Sequence, residues 1–199
     1  MKKLALILFL PLIFSLSRCG INKQVEQAKA LGKCHFDLVS VDSMNLAGVS
    51  INRSENGQAV NLTSLPRLAM GLISHNIPLN ANVAIRITNE TGQTAAIDQF
   101  EYKILLRNNE VFNGFVNRKV VVPAGGGQII VPVHVFGNVY KLIADQQTSQ
   151  AFGDLISNLS GSTTTPKSVV TFKIRPTIDL GGHAFNYPGY ISFDKEFGR

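Results

Sequence analysis

The sequence predicts a mainly β protein, a sandwich or barrel of antiparallel strands, and three observations support this class. Apolar and polar residues alternate along short segments, most clearly at 81–88 and 97–107. Turn-forming residues separate these segments, as at 53–58 and 123–127. Hydrophobic residues make up 45% of the 199 residues, so the chain can bury a core that needs neither a disulfide nor a metal.

The N-terminus has the pattern of an export signal. Residues 1–3 are positively charged, and residues 4–16 are almost all apolar. A membrane-spanning helix needs about 20 apolar residues, whereas a shorter apolar core behind lysines is typical of a secretory signal. We therefore expect residues 1–18 to be a signal peptide. The alternative is a buried helix of a cytosolic protein, which would rarely begin at residue 4 behind two lysines.

The end of this signal resembles the lipobox of bacterial lipoproteins, in which a leucine and small residues precede a cysteine. Leu16, Ser17 and Cys19 match that pattern, and Arg18 departs from it because a small residue usually stands there. The resemblance implies lipidation of Cys19 and a membrane-anchored protein of the bacterial cell envelope that faces the periplasm. Several acyl chains give stable anchoring. The alternative is cleavage after Ser17, which would release a soluble secreted protein.

The charge balance does not indicate a nucleic-acid partner. Of the net charge of +6, three charges belong to Lys2, Lys3 and Arg18, so residues 19–199 carry +3. An RNA-binding sheet would combine basic residues with exposed aromatic ones, and export would separate the protein from nucleic acid. We expect the membrane, reached through the lipid anchor, to be the main partner.

From residue 19 onward the chain divides into a spacer and one domain. Residues 19–33 are expected to be a lipid-anchor spacer with a short helix, since Val25, Ala28 and Leu31 have helical spacing. Residues 34–199 are expected to form a single β-sandwich domain with helical insertions.

Strands are predicted wherever apolar residues alternate. In the first strand we expect Phe36 and Leu38 to face the side opposite to Val41, and Pro132 indicates an edge strand or a bulge. The predicted segments are 34–41, 44–51, 81–88, 97–107, 111–116, 119–122, 128–136, 168–178, 183–186 and 190–197.

Two helical insertions are predicted, near 62–76 and 138–159, where apolar residues recur at intervals of three and four. Ser64 is a candidate N-cap for the first helix, with Pro66 just inside it. The two helical segments could together line an apolar cavity against the sheets.

No catalytic, cofactor or metal site is predicted. The glycines at 125–127 precede a strand, whereas a phosphate-binding loop precedes a helix and ends in Lys-Ser or Lys-Thr. Cys34 is expected to be a small buried apolar residue, and a dyad of Cys34 with a histidine is the weaker alternative. If Cys19 stays free, it could pair with Cys34. The glycosylation sequons at Asn52, Asn61, Asn89 and Asn158 are expected to be chance matches.

The stretch Ile77–Val135 resembles the late embryogenesis abundant type 2 family, also called the water-stress and hypersensitive-response domain. The matching features are Ile77-Pro78-Leu79, the strand that ends at Asn89, the aromatic strand 100–106, the turn 123–127 and Val131-Pro132-Val133. The family usually has Asn-Pro-Asn where this chain has Asn89-Glu90-Thr91. The resemblance implies an immunoglobulin- or fibronectin-like β-sandwich, association with stress, and no established catalytic residues. Some relatives are thought to bind lipid in an apolar groove.

Three functional hypotheses follow. The first is a noncatalytic, membrane-tethered lipoprotein domain with a stress-protective or structural role. The second is a binding module for lipid or another apolar ligand in the periplasm. The third is an enzyme with a site that no motif reveals, and it is the weakest of the three.

Overall fold

The computed structural model describes residues 18–51, 66–162, 164–180 and 182–198, which form eleven strands and four helices. In chain order these are α1 (Arg18–Leu31), β1 (His35–Leu46), β2 (Val49–Ser50), α2 (Pro66–Ile73), β3 (Pro78–Asn89), β4 (Ala95–Ile97), β5 (Gln99–Leu106), β6 (Asn109–Val116), β7 (Val120–Val122), β8 (Gly127–Asn138), α3 (Tyr140–Ala144), α4 (Gln146–Leu159), β9 (Ser168–Leu180), β10 (His183–Asn186) and β11 (Ile191–Phe197). Most of the predicted signal segment, the turn at 53–58 and the Ser64 cap lie outside the described residues.

The strands form antiparallel sheets, so the mainly β class is confirmed. The first sheet has the order β2-β1-β3-β8. In the second sheet the order is β6-β5-β9, and both β10 and β11 pair with β9 along different parts of its length. A small third sheet joins β4 to β7. Strand β8 lies at an edge of the first sheet, as Pro132 predicted, because proline has no N–H to donate to a further strand.

One core receives side chains from both large sheets. The alternating residues of β3 (Val83, Ile85 and Ile87) are buried, and so are those of β5 from Phe100 to Leu106. Helix α1 packs mainly against β4 and adds Ala30 and Leu31 to the same core. The segment expected to be a spacer therefore ends inside the folded domain.

Strand β1 does not keep the simple alternation that its sequence predicts. Its pairing with β3 shifts between Leu38 and Ser40, and again between Asp42 and Asn45. An extra residue at a bulge moves every later side chain to the other face of the sheet. Val41 therefore packs against the core, on the same side as Phe36 and Leu38, and the predicted opposite orientation is wrong.

The predicted strand 44–51 contains a hairpin turn. Leu46 pairs with Val49, so Ala47 and Gly48 form a two-residue loop. Both loop residues have positive φ, at 50° and 78°, as a type I′ turn requires. Glycine adopts this conformation without steric cost, and alanine is an uncommon occupant of it.

The predicted helices form, with two differences. Strand β8 continues to Asn138, and the following helical region breaks at Asp145 into α3 and α4. In α2 only Leu68 and Gly71 are buried. On the predicted apolar face of α2, Leu68 is buried, whereas Leu72 and Ile73 are 41% and 76% exposed.

Candidate functional site

Helix α4 covers an apolar cavity between the two large sheets. Its volume is about 60 Å³. Phe152, Leu155, Ile156 and Leu159 of α4 form one wall, and their spacing places them on one face of the helix. The other lining residues are Val41, Met44, Leu79, Ala81, Val83, Ile104, Phe112, Val135, Val170, Phe172 and Phe197.

Helix α4 is held at both ends by polar side chains. At its start, Oδ1 of Asp145 accepts hydrogen bonds from the backbone N–H groups of Gln147 (2.8 Å) and Thr148 (3.0 Å). Near its end, Nδ2 of the buried Asn158 donates to the carbonyl of Pro166 (2.8 Å) and to Oγ of Ser168 (3.0 Å). The Asp145 contacts satisfy backbone N–H groups at the start of α4, and the Asn158 contacts satisfy groups at Pro166 and Ser168, which follow the helix.

Aromatic and hydroxyl contacts hold the two sheets together around the cavity. The ring of Phe193 in β11 stacks between Phe36 of β1 (6.0 Å between ring centres) and Phe172 of β9 (5.3 Å). Across the core, the Tyr102 hydroxyl of β5 donates to the carbonyl of His134 in β8 at 2.9 Å. Burial raises the pKa of Tyr102. Gly114 lies beside Tyr102 on β6, and any larger side chain there would overlap the Tyr102 ring.

The cavity is small for a ligand. Sites for small molecules usually have volumes of about 300–1,000 Å³, several times the 60 Å³ found here. An apolar cavity of this kind stays dry because water finds no hydrogen-bond partner in it. A fatty acyl chain could enter only if α4 or its neighbours moved outward.

The sequence predicted one wall of this cavity correctly. The helical insertion near 138–159 supplies the α4 wall. From the insertion near 62–76, no residue that the structure describes contributes to the lining. The bulges in β1 bring Val41 and Met44 into the cavity, and alternation alone could not predict this.

Cys34 and the histidines do not form a shared site in the part of the chain that the structure describes. The half-buried Sγ of Cys34 contacts the carbonyl of Ala30 at 3.5 Å. Burial raises the pKa of this thiol to about 11, so the unreactive thiol predominates at neutral pH. No histidine hydrogen-bonds to Cys34 within those ranges. The same residues contain no group of three or more His, Cys, Asp or Glu side chains that could hold a metal.

Cys19 is the second residue of α1, which runs from Arg18 to Leu31. None of the helices among the described residues has the length and apolar character needed to cross a bilayer.

Two of the four glycosylation sequons lie at buried asparagines: Asn89 is fully enclosed, and Nδ2 of the buried Asn158 donates hydrogen bonds to Pro166 and Ser168. Asn52 and Asn61 lie outside the described residues.

A polar network on the outer face of the second sheet had no counterpart among the predictions. Glu101 accepts a hydrogen bond from the Tyr190 hydroxyl at 2.6 Å and forms an ion pair with Arg175. Both contacts, the tyrosine foremost, lower the pKa of Glu101 although its partial burial opposes them. Lys103 pairs with Glu110 at 2.8 Å. The polar positions of β5 could have suggested an outward face, but the two partners of Glu101 lie 74 and 89 residues away in the sequence.

Comparisons with known proteins give low similarity. No family model and no curated protein matches the chain. A crystal structure of a protein from Archaeoglobus fulgidus is 15% identical, with a TM-score of 0.36, and covers 82% of this chain and 98% of its own. A solution structure of a protein described as a candidate late embryogenesis abundant protein is 13% identical, with a TM-score of 0.35. The match covers 94% of this chain and 84% of that chain. An X-ray structure of a Northeast Structural Genomics Consortium target is 12% identical, with a TM-score of 0.33. The match covers 85% of this chain and 89% of that chain.

Proposed function

We propose that this protein is a noncatalytic domain of the bacterial cell envelope, tethered to the membrane through a lipid on Cys19 and facing the periplasm. The observation that carries the proposal is the export pattern of residues 1–18 followed by the lipobox-like Leu16, Ser17 and Cys19. Cys19 lies at the start of α1, whose far end is built into the core at Leu31. Twelve helical residues at 1.5 Å each place Cys19 about 18 Å from Leu31 along the helix axis. A lipid on Cys19 would therefore hold the domain close to the bilayer.

The tether has a direct test with an internal control. The intact mass of the protein from membrane fractions should correspond to a chain that begins at an acylated Cys19. Cys19→Ser should abolish acylation, whereas Cys34→Ser should leave the acylated mass and the membrane fraction unchanged. A mature chain that begins at Arg18 would instead support the secreted soluble alternative.

The role we assign to this domain is stress-protective or structural. Its support is the resemblance of Ile77–Val135 to the late embryogenesis abundant type 2 family. Deletion of the gene should lower survival of the host after drying or freezing, and the wild-type chain should restore it. Unchanged survival and an unchanged envelope would contradict this role.

We also propose that the two large sheets form a sandwich of the immunoglobulin or fibronectin kind. The shared core and the antiparallel pairing support this arrangement. An experimental structure should then show the mean strand directions of the two sheets within about 30° of each other. A crossing near a right angle would contradict it.

The second candidate function is binding of a lipid or another apolar ligand. The entirely apolar lining of the cavity under α4 favours it. Its small volume means that α4 would have to move outward when an acyl chain enters.

Filling the cavity separates these two functions. Val135→Leu adds a methylene inside the cavity, and Val121→Leu makes the same change at an exposed site on β7. If the cavity binds acyl chains, native mass spectrometry should detect lipid on the wild-type protein and on Val121→Leu, and less on Val135→Leu. Absence of lipid from protein purified from its host, with no uptake of a fluorescent fatty acid, would exclude the binding function.

A further inference from the structure

A second, polar cleft lies on the other side of α4. It forms where β5 ends, because β9 continues toward α4 beyond its last pair with β5, Leu106 with Val170. The two-residue turn at Arg107-Asn108 forms one side of the cleft, and α4 forms the opposite side with Ala151 and Asp154. The cleft has a volume of about 360 Å³, six times that of the apolar cavity.

The charges of this cleft are mixed and only partly paired. Lys167 forms an ion pair with Glu196 at 3.3 Å, and Asp194 accepts a hydrogen bond from the Thr171 hydroxyl at 2.7 Å. Arg107 and Asp154 also line the cleft, and their side chains have no ion pair or hydrogen bond within the described ranges. One guanidinium and one carboxylate are therefore free to bind a ligand.

The backbone at Arg107 is strained. Arg107 and Asn108 both have positive φ, at 48° and 64°. Asparagine tolerates this conformation, but a long side chain such as arginine occupies it rarely. The two-residue hairpin loop between Leu106 and Asn109 requires positive φ at both of its positions. Here the turn places a cation at the rim of the cleft.

We propose that this cleft binds a small zwitterion, an amino acid or a short peptide with a free carboxylate and a free ammonium group. The carboxylate pairs with the Arg107 guanidinium, which can donate two parallel hydrogen bonds. The ammonium group pairs with Asp154, and the exposed apolar side chain of Val169 contacts the side chains of the ligand. A simple anion or a simple cation would leave one of the two charged residues unpaired.

Calorimetric titration of the 199-residue chain in detergent with L-alanyl-L-alanine tests the proposal. Saturable 1:1 binding is expected, whereas the same dipeptide with both ends capped should not bind because it lacks both charges. Arg107→Asn removes the cation at a position where asparagine tolerates the backbone, and Asp154→Asn removes the anion. Each variant should weaken binding about tenfold or more.

A matched control guards against unspecific effects. Arg118→Asn removes an exposed arginine outside the cleft and should bind the dipeptide like the wild type. Circular dichroism of each variant verifies that it is folded, and Arg107→Lys keeps the charge as a second test. No saturable heat with the dipeptide or with glycine at millimolar concentration would overturn the proposal. Equal binding of the capped dipeptide, or wild-type affinity in both asparagine variants, would also overturn it.

Discussion

The Asn89 side chain stabilises the loop that follows β3. Its Nδ2 donates to the carbonyls of Gln93 (2.8 Å) and Val122 (3.1 Å). Its Oδ1 accepts from the backbone N–H (3.1 Å) and the hydroxyl (2.7 Å) of Thr91. The residue is fully buried, and its bond to the Val122 carbonyl is shielded from water, whereas the bonds to Gln93 and Thr91 are partly buried. The amide thus joins β3 to β7 and shapes the turn that follows β3.

Replacing this amide should destabilise the protein strongly. Asn89→Ala leaves the buried Val122 carbonyl and the partly buried turn groups of Thr91 and Gln93 without this partner, and we expect a loss of about 2 kcal/mol in the free energy of unfolding. The control is Asn82→Ala on the same strand, whose exposed side chain lies 3.0 Å from Nδ1 of His134. This variant should change stability by under about 0.5 kcal/mol. Urea denaturation measures the free energy of unfolding of both variants. Equal stabilities of the two variants would contradict the role of Asn89.

Glu101 makes stability depend on pH. The Tyr190 hydroxyl, followed by Arg175, lowers the pKa of Glu101 in the folded protein. A carboxyl whose pKa is lower in the folded than in the unfolded state contributes stability above its unfolded pKa, about 4.3 for glutamate. That contribution disappears as the pH falls through the folded value.

We therefore expect the wild type to be more stable than Glu101→Gln at neutral pH, with the difference shrinking below about pH 4.5. The effect should be modest because solvent screens this partly exposed pair. Urea denaturation at several pH values measures it, and Asp98 and Glu110 affect both proteins alike. A difference that stays constant down to about pH 2 would show that the charge of Glu101 contributes nothing.

At the scale of elements, α4 is the helix that both candidate sites share. One face of α4 lines the apolar cavity, and Asp154 lines the polar cleft. Its N-cap is Asp145, so loss of the cap should loosen both sites together.

Asp145→Ala should reduce the free energy of unfolding by about 1 kcal/mol, because two backbone N–H groups at the start of α4 lose their acceptor. Asp145→Asn keeps an oxygen at the same place and should retain most of that stability. Thermal denaturation, monitored by circular dichroism, compares the melting temperatures of the two variants with that of the wild type. If the alanine and asparagine variants melt together below the wild type, the carboxylate charge matters rather than the cap.

Individual strands and helices also show which features the sequence predicts and which it does not. Alternation predicted β3 and β5 well, because their residues keep one face buried along the whole strand. It placed Val41 on the wrong side, because a bulge depends on pairing with β3, about 40 residues later. Helical spacing predicted an apolar face on α2, but spacing alone does not say which neighbour a helix meets, and Leu72 and Ile73 are exposed.

At the scale of the whole molecule, the low net charge limits electrostatic attraction to a membrane. Residues 19–199 carry +3, and each basic residue near an anionic surface contributes about 1 kcal/mol before salt screening. The lipid, rather than charge, should therefore be the main tether.

Protein with Cys19→Ser, processed to remove the signal, should sediment only weakly with vesicles that contain phosphatidylserine. This binding should vanish above about 0.15 M salt, where the Debye length is roughly 8 Å. Neutral vesicles are the control and should not bind the protein. Strong binding that persists at high salt would point to a second, apolar membrane contact.

The sequence by itself determined the features that are local. The export pattern, the candidate lipid site at Cys19, the alternation of β3 and β5 and the apolar face of α4 depend on residues close together in the chain. Tertiary structure alone decided the rest. The cavity needs β1, β8 and α4 in one place, the Glu101 network joins residues up to 89 apart, and the cleft exists because β9 extends beyond β5. The physical reason is that strand register and helix docking are set by contacts between distant segments, which local periodicity does not encode.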